Sequence, residues 1–322
     1  MRRWGLTNVG VYVVRRLLLM VPVAFLVSVA VFMLIHLTPG DPAVIILGES
    51  YTPQAAAQIR QQLGLNRPLP EQYLVFANRV VHGDLGRSLR TNLPVTTAIG
   101  ERLPATLELG LAALIWSVIV AIPLGTLAAL RRGTALDMVA SAFTVAGVSV
   151  PNFVLGIALI LVLGLAFRLL PTSGYAAFSD DPGQNLRRLI MPALALGTAG
   201  AAINMRFTRS SMIDVLRQDY IRTARAKGAD WLRVVNRHAL KNALIPVVTV
   251  IGLQVGAILE GALVTETVFN WPGVGKLAVD SIFSKDYTIV QGIILLSALS
   301  YMVANLVVDL VYAYLDPRIT YS

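Results

Sequence analysis

The sequence predicts an all-α membrane protein of six transmembrane helices, with both termini on the cytoplasmic side. Three observations predict it. First, 56% of the 322 residues are hydrophobic and only 14% are charged, where a soluble domain has about 45–50% and about 25%. Second, the apolar residues fall in runs near the ~20 residues that a helix needs to cross hydrocarbon. Third, Lys and Arg concentrate in alternate connecting segments, as the positive-inside rule requires. The chain has no cysteine and three widely separated histidines, His36, His82 and His238. Disulfides, thiol catalysis and thiolate metal sites are therefore excluded, and nothing points to a bound metal or cofactor.

Residues 1–37 hold a basic N-terminal stretch and the first span, Leu17 to Leu37. The run is too long for a signal-peptide core and no A-x-A pattern follows it, so it reads as an uncleaved helix. Residues 38–104 form an extracytoplasmic segment. Leu37 to Ala43 (LTPGDPA) reads as a sharp turn, because Pro39, Gly40 and Pro42 break the helix. Thr52 followed by Pro53 predicts a capped helix over 54–63, stopped at Gly64. Pro70 to Val81 suits a second helix, and Gly83 to Leu89 (GDLGRSL) a tight return turn.

Residues 105–322 hold a five-helix core, with spans at 105–130, 138–167, 189–205, 243–264 and 289–315. The cytoplasmic loop 206–242 separates the fourth from the fifth. With the N-terminus inside, the inner segments carry 16 of the 27 Lys and Arg and a net charge of +11, against +1 outside. Topology thus accounts for the basic balance, and no nucleic-acid partner is needed.

The inner loop carries nine basic residues, no proline, and apolar residues at helical spacing. Tyr220 to Gly228 (YIRTARAKG) is its sharpest feature. Ile221, Ala224 and Gly228 share one small face, with Arg222, Thr223, Arg225, Ala226 and Lys227 around them. A small face with basic flanks suits docking into a groove on another protein. Glycine marks either a close approach or a turn. Leu232, Val235 and Ala239 form a second stripe. A bland alternative, binding of anionic lipid headgroups, explains the charge but not the glycine.

Ionisable side chains in spans are costly and often functional. Glu108, Glu260 and Asp309 are the three here. Glu260 lies in the fifth span among Gly252, Gly256 and Gly261, and a pathway-facing role competes with an interhelical hydrogen bond. Pro151 and Asn152, within SVPNF, predict a kink in the third span. Glu260, Gly256, Pro151 and Asn152 are the candidate pathway residues.

Four blocks together resemble the permease subunits of ABC importers, in the dipeptide/oligopeptide/nickel branch. They are RRLLLMVPVAFLVSVAVFMLIHLTPGDPA (15–43), GDLGRSLRTNLPV (83–95), DYIRTARAKG with RHALKNALIPV (219–228 and 237–247), and ETVFNWPGVGKLAVDSI (266–282). The resemblance covers essentially the whole chain from Val11. It implies a type I importer bundle, an extracytoplasmic binding protein, a second related permease subunit, and two ATPase subunits that bind ATP and Mg. In the family's coupling motif, E-A-A-x-x-x-G, Gly228 stands at the glycine and Ala224 at the second alanine. Arg222 and Thr223 depart from the pattern, in the manner of the branch's T-A-R-A-K-G variant. The substrate implied is a di- or oligopeptide, nickel or a related small solute.

The chain has no G-x-x-x-x-G-K-[ST] phosphate loop, so ATP hydrolysis is expected in separate chains. Gly273 to Ala278 mimics a dinucleotide fingerprint, but its place after a span favours a turn or short re-entrant element. A stand-alone secondary transporter is the alternative. It leaves the basic loop unexplained, and no internal repeat supports it. An intramembrane enzyme would need converging polar groups that the sequence does not offer.

Overall fold

The computed structural model describes residues 6–37, 42–47 and 51–315. Within its helices the side chains of 6–13, 42, 45–46, 62–63, 255–261 and 308–315 are left out of the description. Predicted features at Thr38–Asp41, the side chains of Glu260 and Asp309, and the Gly256 pathway assignment lie outside the described residues.

The described chain is helical and carries no sheet; one isolated bridge pairs Arg87 with Pro94. The elements are α1 (Leu6–Leu37), α2 (Pro42–Leu47), α3 (Pro53–Leu63), α4 (Leu69–Val81), α5 (Val95–Leu130), α6 (Ala135–Ser149) and α7 (Asn152–Leu159). There follow α8 (Pro182–Leu216), α9 (Asp219–Ala226), α10 (Trp231–Arg233), α11 (Lys241–Val268), α12 (Val274–Phe283) and α13 (Tyr287–Leu315). Among the described residues, four segments are long and apolar enough to cross a membrane: Val14–Leu37, Val95–Leu130, Pro182–Leu216 and Tyr287–Val307. The pair α6 and α7, with its π-helical continuation to Ala166, makes a fifth if counted as one span. The helix expected at 189–205 is twice that long, because Arg187, Arg188, Arg206 and Arg209 end the apolar run without ending helical hydrogen bonding.

The chain divides into two compact units. The first takes α1 to α4, the start of α5 to Pro104, α12, and α13 to Leu306. Here Thr52 accepts from the Ala55 amide and Gly64 ends α3 at φ 70°, as its sequence predicts. Val31, Phe32 and Ile35 of α1 are buried. Phe32 packs on Tyr73 and Phe76 of α4, and His36 Nε2 pairs with Gln72 Oε1 at 2.9 Å. The GDLGRSL turn closes through the Gly86 amide donating to Asp84 Oδ1 at 2.9 Å. Ser88 Oγ and the Leu89 amide both donate to Asp286 at the start of α13. The fingerprint-like Gly273 caps α12, a ten-residue helix.

The second unit takes α5 from Ala105 through α11. Its helices touch at glycine and alanine. A β-carbon on Gly197 of α8 would lie 2.4 Å from the Ala113 carbonyl of α5. One on Gly125 of α5 would lie 2.7 Å from the Met205 carbonyl of α8. Small residues let backbones approach where lipid gives helices no hydrophobic reason to associate. Residues 113, 117 and 125 meet 197, 200–204 and 205–208 in rising order, so α5 and α8 run parallel. Asp137 binds Arg209 and Gly147 faces Ala202, so α6 runs antiparallel to α8. Ala243 clusters with Met212, Gln254 bonds Asn204, and Phe269 clusters with Met191, so α11 is antiparallel too.

The kink predicted at Pro151 is a break. Val150 is extended, at φ −84° and ψ 119°, and α6 meets α7 at 105°. Proline disfavours the helical region for the residue before it, and removes its own amide donor.

Candidate functional site

Three places in the second unit carry much of its polar chemistry: the basic helix α9, the middle of the α5, α8 and α11 packing, and a layer nearer the other end of these helices. In α9, Asp219 to Ala226 form two turns. The Gly228 amide donates to the Arg225 carbonyl and the Ala229 amide to the Ala224 carbonyl, with Gly228 at φ 77°. This is a Schellman closure, which needs a left-handed residue at that position. A β-carbon on Gly228 would meet nothing within 4 Å. Of the two meanings the sequence offers for this glycine, the turn is the one realised here.

Of the small face read from the sequence, Ile221 and Ala224 point inward and Gly228 is exposed. Ile221 is 2% exposed and clusters with Met212, Val234, Val235, Ala239 and Ala243, and Ala224 packs on the same cluster. Periodicity identifies an apolar stripe, and the nearest apolar surface able to bury it is the chain's own. Tyr220, Arg222, Thr223, Arg225, Ala226, Lys227 and Gly228 are exposed. Arg225 lies 4.7 Å over the Trp231 ring, and Asn242 Nδ2 donates to the Tyr220 hydroxyl at 3.0 Å. The Arg222–Asp219 pair, at 3.5 Å, is open to solvent and adds little. The result is a seated helix whose outer side is basic. Of the second predicted stripe, Val235 and Ala239 are buried and Leu232 is exposed.

Of the candidate pathway residues, Pro151 sits at the break. Asn152, just beyond it, lines a cleft of about 180 Å³ with Ser117 of α5, Gly197 and Gly200 of α8, and Gln254 of α11. Behind these, fully buried Asn204 donates to Ser117 Oγ and to Gln254 Oε1, both at 2.9 Å. Ser117, Asn204 and Gln254 are absent from the sequence prediction, whose pathway candidates are Glu260, Gly256, Pro151 and Asn152. An amide at mid-span is the signal that marks them.

Nearer the other end of these helices, Glu108 accepts from Tyr175 Oη at 3.1 Å and Asn185 Nδ2 at 2.5 Å. Buried Glu266 accepts from Thr106 Oγ1 at 2.7 Å, and Trp271 Nε1 donates to the Ala105 carbonyl at 2.8 Å. The ETVFNWPG stretch thus supplies three of the most deeply buried side chains, Glu266, Phe269 and Trp271.

Residues 121–321 match the model of the binding-protein-dependent transport system inner membrane component, and residues 10–110 match its N-terminal membrane component. The chain belongs to this family. Among permeases of the family, it is 42% identical to the dipeptide transport system permease protein DppB of Escherichia coli (strain K12). That match covers 97% of this chain and 99% of the relative. It is 44% identical to the glutathione transport system permease protein GsiC of the same strain, with the same two coverages. A solved amino acid ABC transporter with histidines aligns with 70% of the chain at a TM-score of 0.47 and 16% identity. As a member of the inner membrane component family, the chain is a multi-pass permease of a binding-protein-dependent importer, a transport component and not an enzyme.

Proposed function

We propose that this chain is one of two related permease subunits of an ATP-driven importer for dipeptides or similarly small peptides. The observation that carries the reading is identity of 42–44% over 97% of the chain to dipeptide and glutathione permeases. An extracytoplasmic binding protein delivers the substrate, two ATPase subunits bind ATP and Mg, and the second permease completes the pathway. Six spans cross the inner membrane, with α11 as the fifth and both termini cytoplasmic. The alternating directions of α6, α8 and α11, the parallel run of α5 and α8, and the net charge of +11 on the inner segments support that topology. The 28 residues of α11 reach about 40 Å at 1.5 Å each.

Coupling to an ATPase runs through α9. Ile221 and Ala224 hold the helix to its own bundle, so a push on the exposed basic side reaches α8 and α11 without slack. Pathway roles for Glu260, Gly256, Pro151 and Asn152 belong to the same reading, and Asn152 has the support of its place on the cleft.

The test is ATP hydrolysis by the full complex in lipid, with dipeptide-loaded binding protein. Wild type is expected to be stimulated. Gly228→Arg must force a β-branch-free but bulky side chain into φ 77°, a strain of about 1–2 kcal/mol. It is expected to lose ATPase co-purification. Stimulation by nickel-loaded but not peptide-loaded binding protein would overturn the substrate class. Transport without any ATPase would overturn the whole reading.

A further inference from the structure

The first unit holds a cleft of about 270 Å³ at the end of α1. Phe32 and Ile35 of α1 and Val75 and Phe76 of α4 give it apolar walls. Arg67, Arg79 and Asp84 line it too. The side chains of Arg67 and Arg79 have no hydrogen-bond or ion-pair partner among the described residues. Asp84 uses Oδ1 on the Gly86 amide and leaves Oδ2 over. Gln72 Nε2 donates to the Leu65 and Arg67 carbonyls at 3.3 and 2.7 Å. Its Oε1 is thereby left to accept from His36 Nε2. These bonds tie the turn that carries Arg67 to the last turn of α1. The cleft also lies at headgroup depth. The apolar stretch Val14–Leu37 has 24 residues, about 36 Å of helix against ~30 Å of hydrocarbon. Its last turn, with Ile35 and His36, therefore stands at the boundary. Helix α4 lies beside this span: the Tyr73 hydroxyl bonds Ser28 at 2.8 Å, about 13 Å of helix before Leu37. Leu34 and Leu37 of α1 and Leu74 and Val81 of α4 are exposed, apolar side chains of the kind that lipid covers.

We propose that this cleft binds the headgroup of a zwitterionic phospholipid with a primary ammonium, as in phosphatidylethanolamine. The two guanidiniums take the phosphate, because arginine presents paired donors that match phosphate oxygens. The ammonium donates to Asp84 Oδ2. A free anion would leave that carboxylate unmatched, and a glycerol headgroup brings no cation to meet it. A choline headgroup has a cation but no N–H to donate. The apolar walls suit the first carbons of the lipid, which a soluble zwitterion such as a dipeptide lacks. At about 270 Å³ the cleft exceeds several-fold the ~30 Å³ share of one water, so it admits a group of several atoms. Such a lipid fastens the turn between α3 and α4 to the bilayer. The proposal needs α1 to cross the membrane and is independent of the solute carried.

The test titrates the purified full complex in detergent with single defined phospholipids and reads bound lipid by native mass spectrometry. Wild type is expected to bind phosphatidylethanolamine about tenfold more tightly than phosphatidylcholine, the effect of one charge-assisted hydrogen bond. Arg67→Gln with Arg79→Gln is expected to weaken phosphatidylethanolamine binding at least about tenfold. Asp84→Asn keeps an oxygen for the Gly86 amide and is expected to bring the ratio of the two lipids to about one. If the arginine variant fails to assemble, that ratio decides alone. Two competitors separate a lipid from a soluble look-alike: O-phosphoethanolamine and alanyl-alanine, each at the concentration of the lipid. Neither is expected to displace it, and displacement by either would overturn the lipid site in favour of a soluble one. Equal binding of the two lipids by wild type, tighter binding of phosphatidylglycerol, or an unchanged ratio in Asp84→Asn would overturn the proposal. So would full phosphatidylethanolamine affinity in the arginine variant.

Discussion

Helices α5, α8 and α11 share two polar layers, and the two are finished differently. At one, Glu266 takes the Thr106 hydroxyl, Glu108 takes Tyr175 and Asn185, and Trp271 fills the core while donating to the Ala105 carbonyl. At the other, Asn204 and Gln254 bond each other and leave two amide atoms over. The first layer also leaves a buried amide atom over, Asn185 Oδ1, but its carboxylates each hold a hydroxyl or amide donor and its core is filled by an indole. Carboxylates and a buried ring thus lock one level, while neutral amides join the helices at the next.

The comparison breaks most visibly at the lock. Trp271→Ala removes a fully buried ring and its hydrogen bond. It is expected to cost about 3–5 kcal/mol, read as a large fall in the thermal midpoint of the purified complex. A loss under about 1 kcal/mol would mean that this layer is no stiffer than the other. The middle layer sharpens the contrast. Asn204→Leu alone forfeits two interhelical bonds, about 1 kcal/mol at the ~0.6 kcal/mol typical of each in a bilayer. Paired with Gln254→Met, it is expected to return to within about 0.5 kcal/mol of wild type, since no amide is then orphaned. The smallest effect belongs to α9. Arg222→Ala is expected to leave the thermal midpoint within about 0.5 kcal/mol of wild type, because its pair with Asp219 is exposed. The same variant should lower peptide-stimulated ATP hydrolysis if the outer face of α9 meets the ATPase.

Local chemistry made much of this readable in advance. Thr52-Pro53 and Gly64 state where α3 begins and ends, because caps depend on neighbouring residues only. The glycines and Asp84 of GDLGRSL announce a turn for the same reason. The spacing of Ile221 and Ala224 reveals a face, but not what the face meets, since burial against Val234 and Met212 is a tertiary fact. Pro151 signals a bend and says nothing of its 105° size. The pairing of Asn204 with Gln254 bridges 50 positions, and hydropathy treats both as polar residues of no special kind. Charge singles out Glu108 in the sequence, whereas the mid-span pairing of α8 with α5 and α11 is made by neutral side chains.

The glycine contacts between α5 and α8 have a mechanical consequence. Gly197 seats under the Ala113 carbonyl and Gly125 under the Met205 carbonyl, so each helix contributes one notch to a common seam. Sliding by one residue, about 1.5 Å, would present Leu196 or Thr198 where only a hydrogen fits. The joint is keyed in both directions, like a tongue cut from each of two boards. The pair therefore travels as a single girder, and whatever bends during a working cycle must bend where no key exists, as at the extended Val150.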